Sequence, residues 1–175
     1  CAGQTSTDAL FQGKTKSVKK NQGSQEYSPV VVQCPFCKRA PLSQRHTAQI
    51  PVTAFDTVFG KGLPVVLNRD TAQRPLRIRL GNGKEMTGYA FWLRLGQQFG
   101  WDKAPGTRFW ITLAPKRGTS KSTFYTIRSY TLTSEGGGHG VGLCQWGAET
   151  LAKSGKTYRE ILNHYYPRAI LKGGF

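Results

Sequence analysis

The residues best placed to do chemistry lie between Gly136 and Ala148, where one histidine, one cysteine, one glutamine and one tryptophan sit among closely spaced glycines: Gly136-Gly137-Gly138-His139-Gly140-Val141-Gly142-Leu143-Cys144-Gln145-Trp146-Gly147-Ala148. Such glycines let the backbone take positive φ and approach a ligand closely, because no Cβ stands in the way. His139 and Gln145 bring hydrogen-bond donors to that backbone, and Trp146 brings a flat face. The alternative for His139 and Gln145 is that they tie down the loop's own backbone. For Trp146 the alternative is burial in the core. Cys144, with His139 before it and His164 downstream, has the residue types of a Cys–His hydrolase; the competing reading is a buried, inert cysteine. A second chemical signal is Cys34-Pro35-Phe36-Cys37, whose C-x-x-C spacing suits a zinc knuckle or a redox pair.

The elements that must hold these groups follow from periodicity. From Ala148 onward apolar residues recur at helical spacing: Leu151 and Ala152, then Tyr158, Ile161, Leu162 and Tyr165. The glycine-rich stretch is therefore a loop feeding a helix, the kind of segment on which sites are built. His164, Tyr165 and Tyr166 fall on the last helical turn, where they either cap the core or line a groove. Upstream, Val30–Val32 reads as a short strand and His46–Val52 as a longer one, with Pro51 marking an edge or an end. Thr53 to Phe59 reads as a short helix with Thr53 as N-cap. Leu76 to Leu80 alternates as a half-buried strand, turns at Gly81-Asn82-Gly83 and returns through Glu85–Thr87. Tyr89 to Phe99 has the period of a helix stopped by Gly100. Phe109–Leu113 and Phe124–Tyr130 are rich in strand formers. Strands dominate and helices are short or terminal, so the fold class is α+β, with a mixed, mainly antiparallel sheet, short peripheral helices and a C-terminal helix.

Length and charge bound the rest. At 175 residues the default is one domain, 1–175, with a cysteine-containing subregion in 1–50. Lys and Arg number 25 against 9 Asp and Glu, a formal net charge of +16. That surface attracts polyanions: nucleic acid, anionic lipid or an anionic wall. The aromatic residues are not interleaved with the basic ones as in nucleic-acid modules, so a nucleic-acid partner is the weaker reading. No stretch is apolar enough for a transmembrane helix. Met86 is the only methionine, so the chain reads as a processed product or an excised piece, with Cys1 open to a lipoprotein reading or to an N-terminal nucleophile.

Two blocks, Gly138-His139-Gly140-Val141-Gly142-Leu143-Cys144-Gln145-Trp146-Gly147-Ala148 and Tyr158-Arg159-Glu160-Ile161-Leu162-Asn163-His164-Tyr165-Tyr166-Pro167, resemble in order and spacing the SpoIID/LytB family of stage II sporulation protein D and amidase-enhancer proteins. That family's pattern runs G-H-G-V-G-M-S-Q-W-G-A, then Y-x-x-I-L-x-H-Y-Y-P-G, so Cys144 stands where it has serine. Tyr89 to Gly96 is similar to a further family segment. Cys1-Ala2-Gly3-Gln4-Thr5 resembles its S/C-G-G-x-T block, and Cys34–Cys37 a C-P-Y-C insert.

The resemblance implies a peptidoglycan lytic transglycosylase domain, exported to the cell envelope, and His139, Gln145, Trp146, His164 and Tyr165 as glycan contacts. Such cleavage needs a carboxyl that protonates the leaving glycosidic oxygen and then removes the sugar's 6-hydroxyl proton. The family's glutamate lies upstream of the block matched by Cys1, near A-x-E-M-like and A-R-T-Y-like segments absent from this sequence. The acid is then supplied elsewhere or missing, and Glu135, beside the loop, is the candidate replacement. The alternative is a non-catalytic wall-binding module or amidase partner. The resemblance also brings Cys1 to the insert. A structural zinc on Cys1, Cys34, Cys37 and His46 is the leading reading, and a disulfide among the cysteines the alternative.

Overall fold

The computed structural model describes residues 4–6, 31–34, 36, 40, 44–114 and 129–170. The elements run β1 (Gln4–Ser6), β2 (Val31–Gln33), β3 (Arg45–Pro51), α1 (Val52–Phe59), β4 (Val65–Arg69), β5 (Pro75–Arg79), β6 (Glu85–Thr87), α2 (Gly88–Phe99), β7 (Phe109–Ala114), β8 (Ser129–Glu135), α3 (Gln145–Lys153) and α4 (Tyr158–Tyr165). The fold is α+β, as the sequence pattern predicts. Its strands divide between two three-stranded antiparallel sheets, ordered β3-β8-β7 and β4-β5-β6, and a separate antiparallel pair β1-β2. Among the described residues the one parallel pairing is an isolated bridge between Gly106 and Gly138.

The main core forms where the inner face of β3-β8-β7 meets α1 and α2. Period-two alternation turns Tyr130, Leu132 and Ser134 of β8 inward, while the residues between them stay half-buried. Against that face α1 packs Phe55 and Phe59, and α2 packs Phe91, Trp92 and Leu95. The rings stack closely, with Phe59 and Phe91 centroids 4.3 Å apart. Each buried phenylalanine is worth about 1.5–3 kcal/mol of transfer free energy. Helix α2 starts at Thr87, whose hydroxyl accepts the Ala90 N–H at 3.1 Å. It stops at Gly100, where φ is 99° and the N–H reaches the Gly96 carbonyl at 3.0 Å.

Local departures from the sequence reading have physical causes. Helix α1 begins one residue early, with Pro51 and not Thr53 at the cap and no side-chain cap bond. Strand β4 was not expected, because Val65 and Leu67 face solvent and lack the core alternation of a strand. Helix α3 starts at Gln145, three residues before the apolar period becomes visible. Strand β8 runs on to Glu135; the expected strand residues 124–128, and the basic residues from Lys116 to Lys121, lie outside the described residues.

A second core joins Val32 and Cys34 to Cys144, Ile161 and Tyr165, all buried. Helix α4 is held at its start by a reciprocal capping box: the Thr157 hydroxyl accepts the Glu160 N–H, and Glu160 accepts the Thr157 N–H at 2.9 Å. Lys156 donates to Glu160 at 2.7 Å, and this bond first, then those from Thr157, brings the Glu160 carboxyl down to about 2.

Candidate functional site

Three separate holds fix the glycine-rich loop between β8 and α3. The first is a strap formed by 105–107. Gly138 N–H donates to the Pro105 carbonyl at 2.7 Å, Thr107 N–H to the Gly138 carbonyl at 3.2 Å, and the Thr107 hydroxyl to the His139 carbonyl at 2.8 Å. The second is Arg74, buried beneath the loop, which donates to the Gly140 carbonyl. Asp70 orients it: Arg74 Nε donates to Asp70 Oδ2 at 2.7 Å and its backbone N–H to Oδ1 at 2.8 Å. The third is Tyr166, whose hydroxyl accepts the Leu143 N–H at 3.0 Å. Gly136, Gly138, Gly140 and Gly142 all take positive φ, so every second residue turns in a sense that side chains resist. Gly140 also lies against the Arg74 guanidinium, so a Cβ there would be both strained and crowded.

This framework presents His139, Gln145 and Trp146 at the surface. The His139 ring is oriented by its own loop: Nδ1 accepts the Val141 N–H at 3.0 Å. In the neutral ring the proton then sits on Nε2, which makes His139 a donor pointing away from the backbone. Trp146 is 50 % exposed, so the core reading of this tryptophan does not hold. The residue after it is a glycine for a steric reason. A Cβ on Gly147 would run into the Tyr165 hydroxyl, so α3 can settle on α4 only with glycine there.

Tyr165 differs from the expectation of a ring offered to sugar. It is fully buried, with its hydroxyl 3.1 Å from Cys34 Sγ, and supports the loop–helix join from beneath. His164 is half-buried and edge-on to Phe36 and Tyr165, with its Nε2 buried and unpaired among the described residues. Cys144 lies in the second core, while His139 is exposed with Nδ1 already taken. The two therefore occupy different environments, which argues against a Cys144–His139 pair.

Glu135, the candidate acid, is engaged through both carboxylate oxygens. Arg45 holds Oε1 at 2.9 Å and Arg108 holds Oε2 at 3.2 Å. With both oxygens paired to arginine, the geometry favours an anchoring part for Glu135. Of the four residues expected to bind zinc, Cys34 is buried beside Tyr165 and His46 lies on β3 opposite Ser134. Cys1 and Cys37 lie outside the described residues, and among the described residues no three His, Cys, Asp or Glu side chains gather as a metal site. Cys34 and His46 alone do not complete a tetrahedral set. Of the loop's supports, Tyr166 falls in the second motif block, whereas Asp70, Arg74 and Thr107 carry no sequence signature. They reach the loop from distant parts of the chain.

No family model matches the chain. The amidase enhancer of Bacillus subtilis (strain 168) is 42% identical to it over 55 residues, which is 29% of this chain and 8% of that protein. Stage II sporulation protein D of the same organism is 53% identical over 36 residues, 21% of this chain and 10% of the relative. The Bacillus amyloliquefaciens protein of that name is 50% identical over a stretch of the same length. The chain is homologous to both kinds of protein over these stretches. This is consistent with a SpoIID-like domain, and each match spans about a tenth of the relative's own length. No helix among the described residues is long and apolar enough to cross a membrane.

Proposed function

We propose that this chain is the glycan-binding part of a SpoIID-like domain that acts on peptidoglycan in the cell envelope. The observation that carries the reading is the exposure of His139 on a loop fixed by three holds, and of Gln145 and Trp146 on the first turn of the helix it feeds. Donors and an exposed indole on a preorganised backbone suit a pyranose strand, whose rings offer hydroxyl acceptors on their rims and C–H groups on their faces. The formal charge of +16 suits an anionic wall polymer. The relatives' names, amidase enhancer and stage II sporulation protein D, support the same setting. On this reading residues 1–175 all belong to that one domain, exported to the envelope, with 1–50 as its cysteine-bearing part.

Lytic cleavage belongs to the complete domain, because the segments in which the resemblance places the catalytic glutamate do not occur in this sequence. The chain itself holds and orients the glycan. The test is to incubate purified chain with isolated glycan strands, measuring binding and the release of anhydro-muropeptides. Binding without release is expected. Release at an appreciable rate, abolished by Glu135→Gln, would place the acid in this chain after all. A second reading, that the module enhances an amidase without cutting glycan, is favoured by the amidase-enhancer match. It predicts that adding the chain speeds peptide release by a wall amidase, and that His139→Ala removes the effect.

A further inference from the structure

Alternation makes one side of β3-β8-β7 core and leaves the other to solvent. The registers Arg45–Glu135, Thr47–Thr133 and Gln49–Thr131, continued by Thr133–Trp110 and Thr131–Thr112, place all of these residues on the outer side. The outer side is mostly polar, with Trp110 set among hydroxyl and amide side chains. Thr47, Gln49 and Thr112 are exposed, and Thr131 and Thr133 are half-buried between them. At the loop end of the sheet Arg45 and Arg108 close on Glu135. Beside them Arg69 and Arg108 both lie over the Trp110 ring, at 5.1 and 5.6 Å from its centroid. Glu135 pairs with Arg45 and Arg108, while Asp70, the carboxylate next to Arg69, is already paired with Arg74. Burial, then the charge of Arg108, lowers the Arg69 pKa, with Asp70 pulling the other way. The corner thus carries uncompensated positive charge.

We infer that this outer sheet face is a second contact surface for the glycan, continuous with the loop, and that it selects strands bearing free carboxylates. The inference rests on the glycan-binding reading of the loop and extends it. Continuity is covalent: β8 ends at Glu135 and the loop begins at Gly136, while Arg108 directly follows the Thr107 that clamps His139. From Glu135 to Thr131 the strand offers roughly 14 Å of surface. The side chains also match sugar better than phosphate. Threonine hydroxyls and the Gln49 amide both donate and accept, as sugar hydroxyls do, whereas the phosphate groups of a nucleic-acid backbone offer acceptors only. The arginines supply planar donors for a carboxylate.

The test uses the whole chain and peptidoglycan glycan strands in two forms, one with free carboxylates and one with those carboxylates amidated. Thr47→Glu puts a negative charge at the centre of the face, and Thr47→Lys is the control of similar bulk. The unsubstituted chain is expected to bind the amidated strands about fivefold more weakly than the free ones. Thr47→Glu is expected to weaken binding to free strands about five- to tenfold, Thr47→Lys to preserve or strengthen it, and the difference to vanish on amidated strands. Arg45→Glu, at a side chain 70 % exposed, repeats the test should Thr47→Glu melt early. If all of these variants bind as the unsubstituted chain does while Trp146→Ala loses binding, the loop reading stands and the sheet-face inference falls. Equal losses for Glu and Lys at position 47 would overturn carboxylate selection. Tighter binding to duplex DNA of matched charge, competing with the strands, would assign the face to nucleic acid. Failure of the unsubstituted chain to bind glycan would overturn both readings.

Discussion

Replacing Arg74 with methionine removes the support under the loop at little cost in volume, and the size of the effect follows from its partners. The Arg74 side chain is 3 % exposed and that of Asp70 17 %, with Nη2 and Oδ2 2.6 Å apart. Breaking a buried ion pair from one side costs about 3–5 kcal/mol, because the remaining charge is left without a partner. Asp70 keeps its bond from the residue 74 backbone N–H and some contact with water, which places the loss near the lower bound. The Gly140 carbonyl loses a charged donor as well, adding about 1 kcal/mol. Arg74→Met is therefore expected to lower unfolding free energy by about 3–4 kcal/mol, read as a shifted midpoint in urea with unchanged slope. Pairing it with Asp70→Asn removes the stranded charge, so the double variant should be more stable than the sum of the two single losses predicts. Arg74→Lys keeps the charge but cannot serve Asp70 and Gly140 together, and should fall between. A loss below about 1 kcal/mol for Arg74→Met, or strict additivity in the double variant, would refute the claim that this pair anchors the loop.

Other expectations follow from the same geometry. Gly147→Ala drives a methyl into the Tyr165 hydroxyl and should cost about 1–3 kcal/mol, partly recovered by Tyr165→Phe, as denaturant titration would show. Trp146→Ala, at a half-exposed position, should leave stability within about 0.5 kcal/mol while weakening glycan binding by about tenfold. Thr157→Ala should remove about 1 kcal/mol from the start of α4, visible in a thermal melt. Glu160 titrates at about 2 in the folded chain against an ordinary 4.5. The unfolded chain therefore binds the proton first on acidification, and the stability from this carboxylate is complete above pH 4.5 and lost as pH falls through about 2. Glu160→Gln should flatten that part of an acid titration followed by circular dichroism.

What the sequence made legible is what local chemistry determines. The β5–β6 hairpin follows from alternation into Gly81-Asn82-Gly83. Helix α2 follows from Phe91, Leu95 and Phe99 between Thr87 and Gly100, and the loop feeding α3 from its glycines. Strand β4 is not legible because Val65 and Leu67 face solvent and its pairing with β5, interrupted by register shifts, is a backbone matter. Tyr165 departs from its expected setting for a related reason. Helical spacing shows that Ile161 and Tyr165 share a face, but not whether that face meets a core or a ligand. The Asp70–Arg74 hold reaches a carbonyl 66 residues away in sequence, and residue types alone carry no sign of that closure.

The central claim is that glycan is held at the loop–α3 join. It is tested most directly by the indole N–H signals of isotopically labelled protein, titrated with isolated glycan strands. The chain has four tryptophans, and Trp146→Phe assigns the one at the join. The account predicts that the Trp146 signal moves and saturates with added strands, while that of Trp92, buried and donating to the Ala104 carbonyl at 2.9 Å, stays in place. A Trp146 signal that does not move while the strands bind, or strands that do not bind at all, would contradict it.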